Sequence, residues 1–293
     1  MLSNKFICAN KEFSTATKFI NAPYIRKNFE LEEFSFAKIY VCGLGFYRIF
    51  VNGEEITKGL LCPYISNPND VVYYDEYDLS TLLHRGENSI GFILGNGMQN
   101  AVGGNEWGFD KADFRSSPKL AISLFVDDKL IMEADESFKW YNSPILFDDL
   151  RLGEHYGARL EIDGWCNPGF DDSDWMNCSF AKKPLGEKKL NTISPIVKYN
   201  AIKPKTVKKC VNGYLYDFGL NSAGLCLIKI RGEKGQKITL TYGEVINDGS
   251  LDLTNLYTPH AIKELAHKDT YICKGGSIET HQACIDKNFD IVK

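Results

Sequence analysis

The stretch AKIYVCGLGFYRIFVNGEEI, residues 37–56, decides the fold class of this chain. It reads as two β-strands around a Gly-Leu-Gly turn, followed by an Asn-Gly hairpin turn. Ile39 and Val41 in the first strand, and Ile49 and Val51 in the second after Phe46, recur at a spacing of two. A side-chain period of two with one apolar face is the pattern of a half-buried strand. Asn52-Gly53 supplies the two positions of positive φ that a tight hairpin needs. Such a segment belongs to a β-sandwich.

Strand-like runs recur on both sides of it: Ile25–Leu31, Val71–Tyr77, Ser89–Leu94, Lys119–Phe125 and Lys129–Glu133, then Gly213–Phe218, Leu225–Arg231, Lys237–Tyr242, Asp269–Cys273 and Asn288–Val292. Asp127-Asp128, Gly232-Glu-Lys-Gly235, Asp248-Gly249 and Gly275-Gly276 punctuate them as turns. One short helix is predicted, over Thr258–His267, with Pro259 in its first turn. Many short strands without helical crossovers indicate an all-β chain and disfavour a parallel α/β sheet. The basic stretch Ala181–Leu190, with Pro184 and Gly186 and no apolar period, is the natural boundary. The expectation is two consecutive antiparallel β-sandwiches: a jelly-roll-like one over residues 1–182 and a smaller one over 183–293.

Composition narrows the function classes. The chain has 293 residues, a formal net charge of -4 and 13% aromatic residues. The acidic balance speaks against nucleic acid, whose binders present a basic face. No apolar run approaches the roughly 20 residues of a membrane helix, and the start is too short and too charged for a secretory signal. A cytoplasmic location and free thiols are therefore expected, the nine cysteines being scattered and forming no Cys-x-x-Cys pair. Neither the cysteines nor the five histidines cluster at zinc-ligand spacing.

Two segments invite a functional reading. Asn96–Asp110 is a Gly-rich loop of amides and acids directly after an apolar strand. Long loops at the end of a sandwich gather binding residues. Asn96, Gln99, Asn100, Asn105 and Glu106 could bond sugar hydroxyls, and Trp107 could stack on a pyranose face. A calcium ion could bridge a sugar and Asp110; no other cofactor is expected. The bland alternative is a surface loop with Trp107 tucked beneath it. Asp171, Asp172 and Asp174 form the second segment. Their spacing does not match an EF-hand loop, and turn capping that lets Trp165, Phe170 and Trp175 pack is the preferred account. Glu106, Asp110, Glu154, Glu161 and Glu244 are carboxylates, but nothing singles out an acid and a base for glycoside hydrolysis.

Taken in order, several motifs resemble the bacterial α-L-rhamnosidases over nearly the whole chain. PYIRKNF at 23–29, GLGFYRIFVNG at 43–53 and GNG at 95–97 are similar to the family's first sandwich. LGEHYGAR at 152–159, with Trp165 and FDDS at 170–173, resembles its next segment. YDFGLNSAG at 216–224, YGEV at 242–245 and DTYICKGG at 269–276 resemble its second sandwich. Gly157 stands where the family usually has Asp, Leu220 where it has Gln, and Cys284–Phe289 lacks the family's aromatic-His-Gly-Phe pattern. The resemblance implies a rhamnoside-degrading glycoside hydrolase system in which an (α/α)6 barrel carries the acid and base. No residue here aligns to that barrel, so no catalytic residue is carried over. The expectation is a chain reduced to carbohydrate-binding and support domains. Its partners would be a rhamnose-containing carbohydrate and, by an exposed apolar patch near Tyr216–Leu220 and the last strand, a separate barrel chain or a second copy. A glycosidase active by itself is the remaining alternative.

Overall fold

The computed structural model describes residues 1–15, 17–102, 108–211, 213–256 and 264–282. Among them the fold is all-β, with two single 3-10 turns, Phe109–Lys111 and Ala158–Leu160, as its helical pieces. The helix expected over Thr258–His267 lies largely outside the described residues, and 264–267 form a turn. The strand expected at Asn288–Val292 also lies outside them.

The stretch at 37–56 turns a corner. Ala37–Leu44 belongs to a seven-stranded sheet and Phe46–Val51 to a six-stranded one. Gly45 makes the turn at φ 85°, where a Cβ would sit 2.0 Å from the Gly95 carbonyl oxygen. Only glycine fits that combination. Asn52 and Gly53 follow at φ 49° and 87° and fold Phe46–Val51 back onto Glu54–Glu55, as the Asn-Gly pair predicts.

The seven-stranded sheet runs Ser179–Ala181, Phe6–Cys8, Lys119–Val126, Ala37–Leu44, Val71–Asp78 and Glu187–Leu190, with Lys129–Glu133 paired beside Lys119–Val126. The six-stranded sheet runs Met176–Asn177, Lys139–Asn142, Pro23–Leu31, Gly86–Gly95, Phe46–Val51 and Glu54–Glu55. Their inner faces form the main core. Ile39 and Val41 lie opposite Leu124 and Ile122 in one sheet, Ile49 and Val51 opposite Phe92 and Ile90 in the other, and all of these are buried. The Tyr47 hydroxyl enters this core and donates to Asp75 Oδ2 at 2.6 Å. A buried hydroxyl needs such a partner.

The outer face of the six-stranded sheet is covered by the segment around Trp165 and Trp175. Trp165 stacks on Tyr24 at 4.3 Å, and Trp175, Phe170 and Ile93 complete the cluster. Arg26, fully buried, pairs with Asp172 and donates to the carbonyls of Asn167 and Phe170. Asp171 accepts from the Ser173 N–H at 3.0 Å. Asp171 thus caps a turn within the loop, and Asp172 ties the loop to the sheet through Arg26.

The domain boundary is less clean than the basic stretch suggests. Glu187–Leu190 adds a parallel strand to Val71–Asp78, so the expected linker is an edge of the first sheet. Conversely, Ile145–Asp149 and Gly153–Gly157 form a four-stranded sheet with Lys268–Ile272 and Lys237–Thr241, and Gly153–Gly157 runs parallel to Lys268–Ile272. Strands cross residue 182 in both directions. Beyond that sheet, residues 206–282 form three two-stranded ladders. In the ladder of Thr206–Cys210 with Gly213–Asp217, Val207, Tyr214 and Tyr216 are all more than half exposed, and Leu227 of the next ladder is 57% exposed.

Candidate functional site

Residues 96–102 leave the six-stranded sheet and are held by a buried polar network. The Asn96 N–H donates to Asp148 Oδ1 at 2.6 Å, and its Nδ2 donates to Asp148 Oδ2 at 2.8 Å. Asn100 Nδ2 donates to Asn96 Oδ1 and to the Glu12 carbonyl, while Asn100 Oδ1 accepts from the Ser14 N–H. Gln99 Nε2 donates to the Phe114 carbonyl at 2.6 Å and to Ser116 Oγ at 3.0 Å. Arg115 closes the loop from below, donating to the carbonyls of Ala101, Ser14 and Asp110. Burial pushes the Asp148 carboxyl up to about 7; the Asn96 donors pull it back, and the carboxylates of Glu154 and Asp149 push it further up.

The structure thus assigns Asn96, Gln99 and Asn100 a different task from the one their residue types suggested. All three are buried and their amides are engaged by the protein, because a loop that dips into the sandwich must satisfy its own backbone. Asn96 and Asn100 are anchors of the loop and present no free amide to a sugar. Asp110 lies half-buried in the 3-10 turn, its carbonyl accepting from Arg115. Asn105, Glu106 and Trp107 lie outside the described residues. No group of three or more His, Cys, Asp or Glu is arranged to hold a metal among the described residues. None of the eight described cysteines is in a disulfide.

What the anchored loop builds is one wall of a cleft of about 410 Å³. Met98 and Gln99 of the loop line the cleft together with Phe46, Tyr64, Tyr73, Phe109 and Phe114. Tyr64 meets Tyr73 edge-on at 5.8 Å, and Phe109 lies 6.4 Å from Phe114. The Arg151 guanidinium sits 5.3 Å over the Phe109 ring and fixes its outer face. The volume is that of a small-molecule site. The sequence reading missed Tyr64, Tyr73 and Phe114. A signal was present: the connection between residues 55 and 71 carries Tyr64 and Ile65 between two prolines, and both are exposed.

Comparison with known proteins places this architecture. Residues 32–199 match the model of the alpha-L-rhamnosidase N-terminal domain, and residues 208–288 that of the bacterial alpha-L-rhamnosidase concanavalin-like domain. An alpha-L-rhamnosidase of Formosa agariphila is 33% identical over 270 residues, which is 88% of this chain and 28% of that protein. The structure of the alpha-L-rhamnosidase from Dictyoglumus thermophilum superposes with a TM-score of 0.84 at 32% identity, over 98% of this chain and 33% of that one. That of the Streptomyces avermitilis alpha-L-rhamnosidase, complexed with L-rhamnose, gives 0.78 at 25% identity, over 92% and 26%. The chain therefore spans about a quarter to a third of the length of these relatives. With both accessory domains matched in order over residues 32–288, it belongs to the bacterial α-L-rhamnosidase family.

Proposed function

We propose that this chain serves α-L-rhamnoside hydrolysis as the portion that holds substrate and supports a catalytic domain. It would bind a rhamnoside in the cleft between Tyr64 and Phe109 and leave bond cleavage to the barrel that the family resemblance implies. The observation that carries this reading is the cleft itself. It is an open, aromatic-lined cleft of ligand size on the N-terminal domain, beside the loop that the Asn96–Asp148 hydrogen bonds anchor. Aromatic faces suit the apolar faces of glycosides.

The 293-residue chain is expected to show no turnover of an aryl α-L-rhamnoside above buffer, yet to bind it weakly, with Kd on the order of 0.1–1 mM. NMR titration with and without calcium would measure both binding and any role of the ion at Asp110. A rate abolished by mutating a carboxylate of this chain would overturn the assignment of chemistry to another domain. A titration with no shift around the cleft would remove the substrate-holding role.

A second reading has its own observation. Val207, Tyr214, Tyr216 and Leu227 are exposed on two ladders, and Leu220 beside them is 41% exposed. Val207, Tyr214 and Tyr216 share one face of their ladder, and exposed apolar residues on one face mark an interaction surface. We propose that this surface receives a catalytic barrel, and that in isolation it drives self-association.

A further inference from the structure

The hydrogen-bonding inventory of the cleft says which part of a glycoside it suits. A free monosaccharide is polar on most of its surface, and burying its hydroxyls without partners costs more than ring contact returns. Three of the polar side chains in the cleft's described lining donate elsewhere. Ser66 Oγ donates to the Val71 carbonyl at 2.7 Å. Asn67 Nδ2 donates to Asp70 Oδ2, and its Oδ1 accepts from the Asn69 N–H. Gln99 Nε2 is divided between the Phe114 carbonyl and Ser116 Oγ. Among the described residues of the lining, the donors not used in this way are the hydroxyls of Tyr64 and Tyr73. The rest of the lining is aliphatic, aromatic or thioether: Leu44, Phe46, Ile65, Met98, Phe109 and Phe114.

The walls are also set for a flat guest. The Tyr64–Tyr73 and Phe109–Phe114 pairs both line the cleft, so a ring bound there meets aromatic edges and faces. Aromatic pairs favour such offset and edge-on contacts. A phenolic ring, with one or two hydroxyls for the tyrosines, satisfies what the cleft offers. A pyranose, with hydroxyls around its whole rim, does not.

We infer that the cleft binds the aromatic group carried by a glycoside, with Tyr64, Tyr73, Phe109 and Phe114 as its contacts, and leaves the sugar at its mouth. This rests on the reading that the cleft holds a rhamnoside, and it names the part that is held. The chain would then select substrates by what the rhamnose is attached to.

The test compares three ligands with the full 293-residue chain by isothermal titration and backbone NMR: 4-nitrophenyl α-L-rhamnoside, methyl α-L-rhamnoside and 4-nitrophenyl β-D-glucoside. Both nitrophenyl glycosides are expected to bind about tenfold more tightly than the methyl glycoside, a difference of about 1.4 kcal/mol. Shifts are expected at the amides of Tyr64, Met98 and Phe114. Tyr64→Ala and Phe109→Ala, checked for fold by circular dichroism, should each bring the nitrophenyl ligands down to the methyl glycoside's affinity. If methyl and nitrophenyl rhamnosides bind alike at the cleft, it reads the sugar; the inference falls and the substrate-holding role stands. If no ligand shifts the cleft, both fall. If Tyr64→Ala and Phe109→Ala leave nitrophenyl binding intact, the ring lies elsewhere and the inference fails.

Discussion

Asp148 shows how one side chain can join a loop to the sheet that spans both halves of the molecule. It lies on Ile145–Asp149, next to Gly153–Gly157, and both of its oxygens accept from Asn96. Burial raises its folded pKa from 3.8 to about 7. Between those values the native state holds a proton that the unfolded chain has released, so stability falls as pH rises from about 4 to 7 and is level above that. The loss is on the order of a few kcal/mol. Carboxyls held low by partners, such as Glu133 beside Lys5 and Ser3, act in the opposite sense and at lower pH. Urea denaturation at pH 5 and pH 8 should therefore show the wild type weaker at pH 8, and Asp148→Asn should flatten that difference whatever the variant costs at pH 5. An unchanged slope would mean that Asp148 is ionised throughout, with the Asn96 donors outweighing burial. The sequence could not show any of this. Asn96 and Asn100 look like exposed loop amides because the group that takes Asn96 inward lies 52 residues away.

At the scale of elements, the corner at Gly45 and the turn at Gly86 separate two effects that both forbid a side chain. Both glycines have positive φ, 85° and 93°, but a Cβ at Gly45 would strike the Gly95 carbonyl, whereas Gly86 has open space. Gly86→Ala should cost only the backbone strain, about 1–2 kcal/mol. Gly45→Ala should cost at least about 2 kcal/mol more, because the corner must open and take Phe46–Val51 out of register with Gly86–Gly95. Thermal melts of the two variants would check this, and equal losses would show that the corner yields easily. Elements with their own pattern were legible from sequence: Ala37–Leu44, Phe46–Val51, Val71–Asp78 and Gly86–Gly95 lie where alternation placed them. Those missed are short or charged. Phe6–Cys8, Gly153–Gly157 and Glu187–Leu190 are strands because a neighbouring edge offers its N–H and C=O groups, which local periodicity cannot reveal.

Over the whole molecule, the two halves differ in how completely they cover themselves. The first encloses its core between two sheets, while the second leaves Val207, Tyr214, Tyr216 and Leu227 in solvent. Sedimentation over a range from about 10 µM to 1 mM should show concentration-dependent association, and Val207→Lys with Tyr216→Lys should suppress it while leaving the melting temperature within a few degrees. A strictly monomeric wild type would show that this surface is stable in water as it stands. The parallel pairing of Gly153–Gly157 with Lys268–Ile272 has a consequence in time. The Glu154 N–H donates to Asp269, 115 residues further along the chain. At a synthesis rate of roughly 5–20 residues per second, that edge leaves the ribosome on the order of ten seconds before its partner exists. Throughout that interval the nascent first sandwich presents an open strand to every neighbouring polypeptide, and a chaperone able to sit on that edge would hold it for Lys268–Ile272.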